Sequence, residues 1–262
     1  VTTSYSTTPP TLPYVLREVG RLRNDVSSIF FSIVLPVVFY VLFGSLQNFA
    51  DEPVGDGNIN AYVMIGMALY AGMVGAVSAT AAHAVELASG WRRQLALTPL
   101  STTQLLVGQI ASLAVRTVLP VAAVFITGAV AGAQMPTQAW AASFLITTAV
   151  ALPFGFYGLI VTHLITGHAG VTVAATSLIV LCFAANIMAP LTEPLLRIAR
   201  FTPAYGAAGL ARYPLAEGTQ ALSSAPFVAH DELAGLLINF SAWTLALLTL
   251  YFLLAQGEKG RR

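Results

Sequence analysis

The chain has 262 residues, of which 56% are hydrophobic and only 9% charged, with a formal net charge of +1. Roughly 25% charged residues clothe a typical soluble domain, so a soluble globular protein is excluded and a polytopic membrane protein is expected. Twelve dispersed Lys and Arg residues leave no basic footprint for nucleic acid, and the lone Cys182, inside an apolar run, allows no intrachain disulfide.

Val1–Thr11 is rich in Ser, Thr and Pro and reads as a disordered tail. From there Leu12, Val15, Leu16, Val19 and Leu22 form a helical stripe, with Arg17, Arg21 and Arg23 on the remaining face. The pattern predicts an amphipathic interfacial helix over 12–24, lying along the membrane surface. The uncharged run Ile29–Leu46 follows these arginines in the manner of a signal peptide. It is longer than the roughly 7–15 residues of a signal h-region, and no small-residue cleavage site follows it. A retained span over about 28–46 is expected, kinked at Pro36. Asp51, Glu52 and Asp56 then mark an outer loop without a basic residue.

The second span, about 61–82, carries Ala68, Gly72, Ala76 and Thr80 at four-residue spacing. Small residues so placed let helix backbones approach closely, so this helix belongs in the bundle interior or at a subunit interface. The polar stretch 86–101 follows, and its adjacent Arg92 and Arg93 place it in the cytoplasm by the positive-inside rule. Pro99 stops a helix arriving from Glu86, and Ser101 with Gln104 fits a capping box that starts the next one. The stretch reads as a short helix, a fixed turn and a fresh span, a stiff handle on the helices either side. An ordinary connection is the alternative, although about 2–8 residues suffice for one.

The third span, about 103–130, holds Arg116 near mid-depth and Pro120. A charge at the bilayer centre costs at least ~2.5 kcal/mol, so Arg116 faces the interior, a partner or water. It either contacts an anionic group of substrate or lipid or bonds carbonyls freed by the proline kink. A fourth span, about 140–164, is expected to bend at Pro153, Gly155 and Gly158, and a turn at 166–170 leads to a fifth over 171–188. His163 and His168 do not share a helical face, so no metal site is expected. The segment 189–232 contains Pro190, Pro194, Pro203, Pro214 and Pro226 around a helix-compatible 195–212. It is too interrupted to span and too apolar for an ordinary loop, which predicts a re-entrant segment shielded by protein. The sixth span, about 233–255, is followed by Lys259, Arg261 and Arg262.

The expected fold is therefore all-α, a single transmembrane domain over 12–262 with six spans and both termini cytoplasmic. Arg17, Arg21, Arg23, Arg92, Arg93, Lys259, Arg261 and Arg262 fall inside, against Arg197, Arg200 and Arg212 outside. No Walker A sequence exists, because the only lysine, Lys259, precedes Gly260. The eleven acids fall at helix ends or in loops, which disfavours a proton relay; Glu86 and His83, near the end of the second span, read as a local pair. Neither a His-Glu-x-x-His site nor a nucleophile motif of an intramembrane enzyme is present, and no catalytic residue is assigned.

Glu86, Gly90, Leu95 and the run Thr98-Pro99-Leu100-Ser101 ahead of a membrane helix resemble the signature loop of ABC-2 type transporter permeases, a group that includes small drug and antibiotic exporters. Phe201-Thr202-Pro203-Ala204-Tyr205, with Arg212 downstream, resembles that family's aromatic and proline motif before the last span. The helix at 12–24 is similar to its interfacial elbow helix. Arg92 and Arg93 stand where family members often carry an acid. The resemblance implies a bacterial inner-membrane permease that dimerises, with itself or a related chain, and binds two P-loop ATPase subunits. ATP and Mg would sit on those subunits, with no cofactor on this chain. Glu86, Gly90, Arg92, Arg93, Leu95, Thr98, Pro99, Leu100 and Ser101 would form the coupling element. An apolar, aromatic lining suits an amphipathic or lipid-like cargo; Phe30, Phe31, Phe39, Tyr40, Tyr62, Met64, Met67 and Arg116 are its candidate path. The alternatives are a non-pumping sensor or immunity protein for a membrane-active compound, and an intramembrane enzyme for which no nucleophile stands out.

Overall fold

The computed structural model describes Gly20, residues 29–88 and residues 101–259. The tail 1–11, the interfacial helix expected over 12–24 with Arg17, Arg21 and Arg23, and the terminal Arg261 and Arg262 lie outside the described residues. So do Gly90, Arg92, Arg93, Leu95, Thr98, Pro99 and Leu100.

The described chain is mostly helical. Helix α1 covers Phe30–Ser45, and the short strands β1 (Pro53–Val54) and β2 (Gly57–Asn58) pair antiparallel after it. Helices α2 (Ile59–Ala88), α3 (Thr102–Val130), α4 (Thr137–Ala151), α5 (Phe154–Leu164) and α6 (His168–Ala184) follow. Two short helices, α7 (Glu193–Ala199) and α8 (Pro203–Ala216), lead to the antiparallel strands β3 (Thr219–Ala221) and β4 (Val228–His230) and to the last helix, α9 (Leu233–Lys259). Among the described residues, four stretches are long and apolar enough to cross a membrane: Ile59–Val85, Thr103–Val130, Thr137–Leu164 and Leu233–Gln256. Phe30–Ser45 and Ala169–Ala184 are shorter apolar helices.

Helix α2 occupies the centre, with 78% of its most apolar window buried, against 6% for α9. Its small residues explain how it is surrounded. A Cβ on Gly75 would stand 1.9 Å from the Arg116 carbonyl oxygen, and one on Gly72 would stand 2.9 Å from Val121 Cγ2, so α2 and α3 touch backbone to backbone. On another side, Thr80 Oγ1 donates to the Gly155 carbonyl at 2.8 Å, and a Cβ on Gly158 would lie 2.9 Å from the Val77 carbonyl. The interior position expected from Ala68, Gly72, Ala76 and Thr80 is the one observed, because without side-chain bulk the neighbouring helices gain dispersion contacts along their backbones.

Proline and asparagine set the interruptions. In α1, Pro36 lacks an N–H and crowds the preceding turn. The helix widens to π turns over Phe30–Val34 and Val41–Ser45, either side of α-helical Leu35–Tyr40, where a simple kink was expected. The expected bend in the fourth span is a break at Leu152–Pro153 between α4 and α5. Helix α6 ends at Ala184, short of the expected Met188, because Asn186 turns left-handed at φ 60°. Its side chain bonds the chain on both sides, accepting from Leu191 N–H at 2.8 Å and donating to the Ala221 carbonyl at 3.1 Å.

The helix-compatible stretch 195–212 is two helices instead of one. Thr202 is extended, at φ −81° and ψ 154°, and Pro203 opens α8. Three carbonyls at the break, those of Arg200, Phe201 and Thr202, accept from side chains of α9. Asn239 Nδ2 donates to the Arg200 and Thr202 carbonyls at 2.7 and 3.4 Å, while its Oδ1 accepts from Gly206 N–H at 3.0 Å. Trp243 Nε1 donates to the Phe201 carbonyl at 3.0 Å. Asn239 and Trp243 are six and ten residues into α9, about 9 and 15 Å from its start at a rise of 1.5 Å per residue. The break therefore sits well down the side of an apolar helix, where unbonded backbone is expensive.

The loops at one end of the bundle are bonded into a lid. Asp56 N–H donates to the Leu215 carbonyl, Asn58 N–H to Gln134, and Ser223 N–H to Leu191, all within 3.1 Å. Asn58 also caps α2, its Oδ1 accepting from Ala61 N–H at 2.9 Å. The stretch 89–100 leaves from the opposite end of α2.

Gly75→Leu is expected to drive α2 and α3 apart and lower stability by at least the ~1–3 kcal/mol typical of overpacking. Gly235→Ala, which adds its Cβ to open space, should leave stability unchanged or slightly raised. Thermal unfolding of the detergent-solubilised variants checks both.

Candidate functional site

Two regions stand out. The first is the pair of helix ends that flank 89–100. Helix α2 runs 30 residues and α3 runs 29. At about 1.5 Å per residue each is near 45 Å, longer than the ~30 Å hydrocarbon layer. The capping box expected at the α3 start is present: Gln104 N–H donates to Ser101 Oγ at 3.3 Å, and Ser101 N–H donates to Gln104 Oε1 at 2.9 Å. The box satisfies the first turn of α3. The backbone of Glu86 lies in the last turn of α2.

The second region lies under the lid, around Arg212. Its side chain is only 2% exposed. Helix α8 carries it against α2, where the absence of a side chain at Gly66 makes room, since a Cβ there would stand 2.3 Å from Arg212 Nη2. Arg212 Nε donates to the Tyr62 carbonyl at 3.2 Å, and Nη1 donates to the Tyr62 hydroxyl at 3.2 Å and the Asn186 carbonyl at 3.0 Å. The guanidinium carbon also lies 3.9 Å above the Tyr62 ring centroid, a cation–π contact that is stronger away from water. Tyr62 in turn donates to Gln220 Oε1 at 3.1 Å. One cation thus joins α2, α8, the turn after α6 and β3.

A partly exposed ion cluster lies beside it. Arg200 Nη2 is 2.9 Å from Asp231 Oδ1, and Tyr205 donates to Asp231 Oδ2. Burial and the neighbouring carboxylate push the Tyr205 phenol well above the usual tyrosine range, so it remains the donor at neutral pH. Of the motif residues expected around 201–212, Pro203 opens α8, Tyr205 holds Asp231 and Arg212 holds the lid.

The candidate path residues are dispersed. Tyr40, Tyr62, Met64 and Met67 are packed in the core, with Tyr40 donating to Asn60 Oδ1 at 2.6 Å. Phe39 stacks on Tyr70, while Phe30 and Phe31 form an edge-to-face pair on the exposed face of α1. Arg116 is half-buried on α3, its carbonyl against Gly75. The structure does not gather these eight around one space, because aromatic and Met side chains at helical spacing first serve helix packing.

Sequence reasoning missed Asn186, Gln220, Asp231, Asn239 and Trp243. Asn239 was the one with a visible signal: a side-chain amide inside a largely apolar span implies a hydrogen-bonded role within the protein.

Arg212→Lys keeps the charge but loses the planar fork. It is expected to lower stability by about 2–3 kcal/mol, since charge-assisted hydrogen bonds contribute ~1.5–3 kcal/mol each. Asn239→Leu should lower it by a similar amount, because it strands the Arg200 carbonyl and the Gly206 N–H, whereas Ile238→Leu on the exposed face should not. Thermal unfolding in detergent compares the three. Searches against protein-family models and curated proteins find no match to this chain.

Proposed function

We propose that the chain is the permease subunit of an ATP-binding cassette exporter of the ABC-2 type, moving an amphipathic or lipid-like molecule out of the cytoplasm with energy from a separate ATPase subunit. The observation that carries this reading is the packing of the two helices that flank 89–100 in sequence. Helix α2 is the most buried of the four long apolar stretches, and α3 meets it backbone to backbone at Gly75 and Arg116. A push on such an element is delivered to the centre of the bundle rather than absorbed by a peripheral loop. Packed interfaces of this kind respond by rigid-body shifts between discrete arrangements.

In this reading the four long apolar helices are joined by the shorter α1 and α6 as six spans, and the α7–α8 pair is the re-entrant segment, its break bonded by Asn239 and Trp243. The lid faces outward and 86–101 faces the cytoplasm, as the charge distribution of the sequence favours. Glu86, Gly90, Arg92, Arg93, Leu95, Thr98, Pro99, Leu100 and Ser101 form the element that seats on the ATPase. ATP and Mg belong to that partner. Closure of two ATPase subunits displaces the element, α2 and α3 move against the surrounding helices, and a path opens between two copies of the permease.

Purification from the native membrane in mild detergent is expected to retain a P-loop ATPase in stoichiometric amount, and recovery of the chain alone would count against the proposal. Arg92→Glu with Arg93→Glu, or Pro99→Gly, should reduce transport at least tenfold while the protein still inserts. Unchanged transport would sink the coupling role. Full protection against a toxic compound with ATP hydrolysis blocked would favour the sensor or immunity reading.

A further inference from the structure

The lid carries a second feature that the exporter reading does not use. Between α7 and the β3–β4 hairpin lies a shallow pocket of about 220 Å³, lined by Arg197 and Arg200, by Glu193, and by apolar Leu222, Pro226 and Val228 among others. The same segments expose Leu195, Ile198, Phe201 and Phe227, Ile198 by 67% and Phe201 by 79%. Exposed aromatic and aliphatic side chains on segments that also carry two guanidinium groups form an amphipathic surface.

Vertical order along α9 shows what such a patch faces. Asp231, which binds Arg200 at 2.9 Å, stands immediately ahead of the first turn of α9. Phe201, whose carbonyl accepts from Trp243, lies deeper beside that helix. The open face of α9 continues the apolar surface through exposed Leu237, Ile238 and Leu245. Charged groups therefore mark the level where the apolar helix ends, and bare hydrocarbon lies below them. Among the described residues Arg197 pairs with Glu193 alone, at 2.6 Å, its own side chain largely exposed and that of Glu193 half-exposed. An exposed ion pair contributes little to stability, so its donors are readily turned to a better acceptor. Planar guanidinium groups match phosphate oxygens in charge and in geometry.

We propose that this pocket holds the phosphodiester headgroup of a membrane phospholipid, with Arg197 and Arg200 on the phosphate and the acyl chains lying along Ile198, Phe201 and α9. The site fixes the lid to the lipid surface. It rests on the chain being membrane-embedded and stands whether or not the chain is a transporter.

The test is native mass spectrometry of the full chain in mild detergent, titrated with dioleoyl phosphatidylglycerol. Arg197→Gln with Arg200→Gln is expected to weaken binding of one lipid at least tenfold, about the loss of one charge-assisted hydrogen bond. Because Arg200 also holds Asp231, Val228→Glu provides a second variant: it places a negative charge on the exposed pocket wall, leaves Arg197, Arg200 and their partner carboxylates unsubstituted, and should weaken binding similarly. Soluble glycerophosphoglycerol should not compete at equal concentration. Unchanged lipid binding in both variants would overturn the proposal, as would full displacement by the soluble headgroup, which would mark a site for free anions. Loss of self-association in Val228→Glu with lipid binding intact would assign the patch to a second copy of the chain and overturn it as well.

Discussion

A single buried guanidinium joins the parts of this molecule that the chain itself leaves far apart. Arg212 lies 150 residues from Tyr62 and 26 from Asn186, yet its donors end on both. Removing a cation from water is costly unless every donor finds an acceptor. Here two carbonyls and one hydroxyl accept from Nε and Nη1, and the guanidinium lies over the face of the Tyr62 ring. The arrangement requires Gly66, since any side chain at that position would occupy the guanidinium's place. The lid over the bundle is therefore specified jointly by an arginine on α8, a tyrosine and a glycine on α2, and an asparagine that ends α6.

The same constraint, that polar groups among apolar helices be satisfied by protein, explains the last helix. Helix α9 packs little of itself against the rest, but two of its polar side chains, Asn239 and Trp243, face the break between α7 and α8. Four backbone groups there, three carbonyls and one N–H, are bonded by these two residues. In water such a break would be solvated at little cost. Beside an apolar helix it persists because α9 completes it. A peripheral helix thus determines the shape of a segment that precedes it in sequence.

Around α2 the problem is reversed, because the limiting quantity is space rather than polarity. Gly72 and Gly75 admit α3, and Gly155 and Gly158 on α5 admit α2, with Thr80 bonding across the second contact. A helix enclosed in this way moves only with its neighbours. Among the described residues, a displacement at the ends of α2 and α3 is therefore shared with the helices packed against them.

Composition determined the class of this protein, because a chain with so little charge has no means of covering a water-facing surface. Local chemistry determined several details that depend on a few adjacent residues: the capping box at Ser101 and Gln104, the break at Pro153, and the small-residue face of α2. These were legible because steric exclusion and hydrogen bonding act within one or two helical turns. The early end of α6 at Asn186, the division of 195–212 at Thr202, and the burial of Tyr62, Met64 and Met67 in the core were decided only by tertiary structure. Each depends on partners distant in sequence. Asn186 reaches Ala221, the break at Thr202 needs Asn239, and Tyr62 is held by Arg212 and Gln220. Periodicity can place a residue on a face, but which helix meets that face, and whether a polar side chain there finds its acceptor, follows from the packing of the whole bundle.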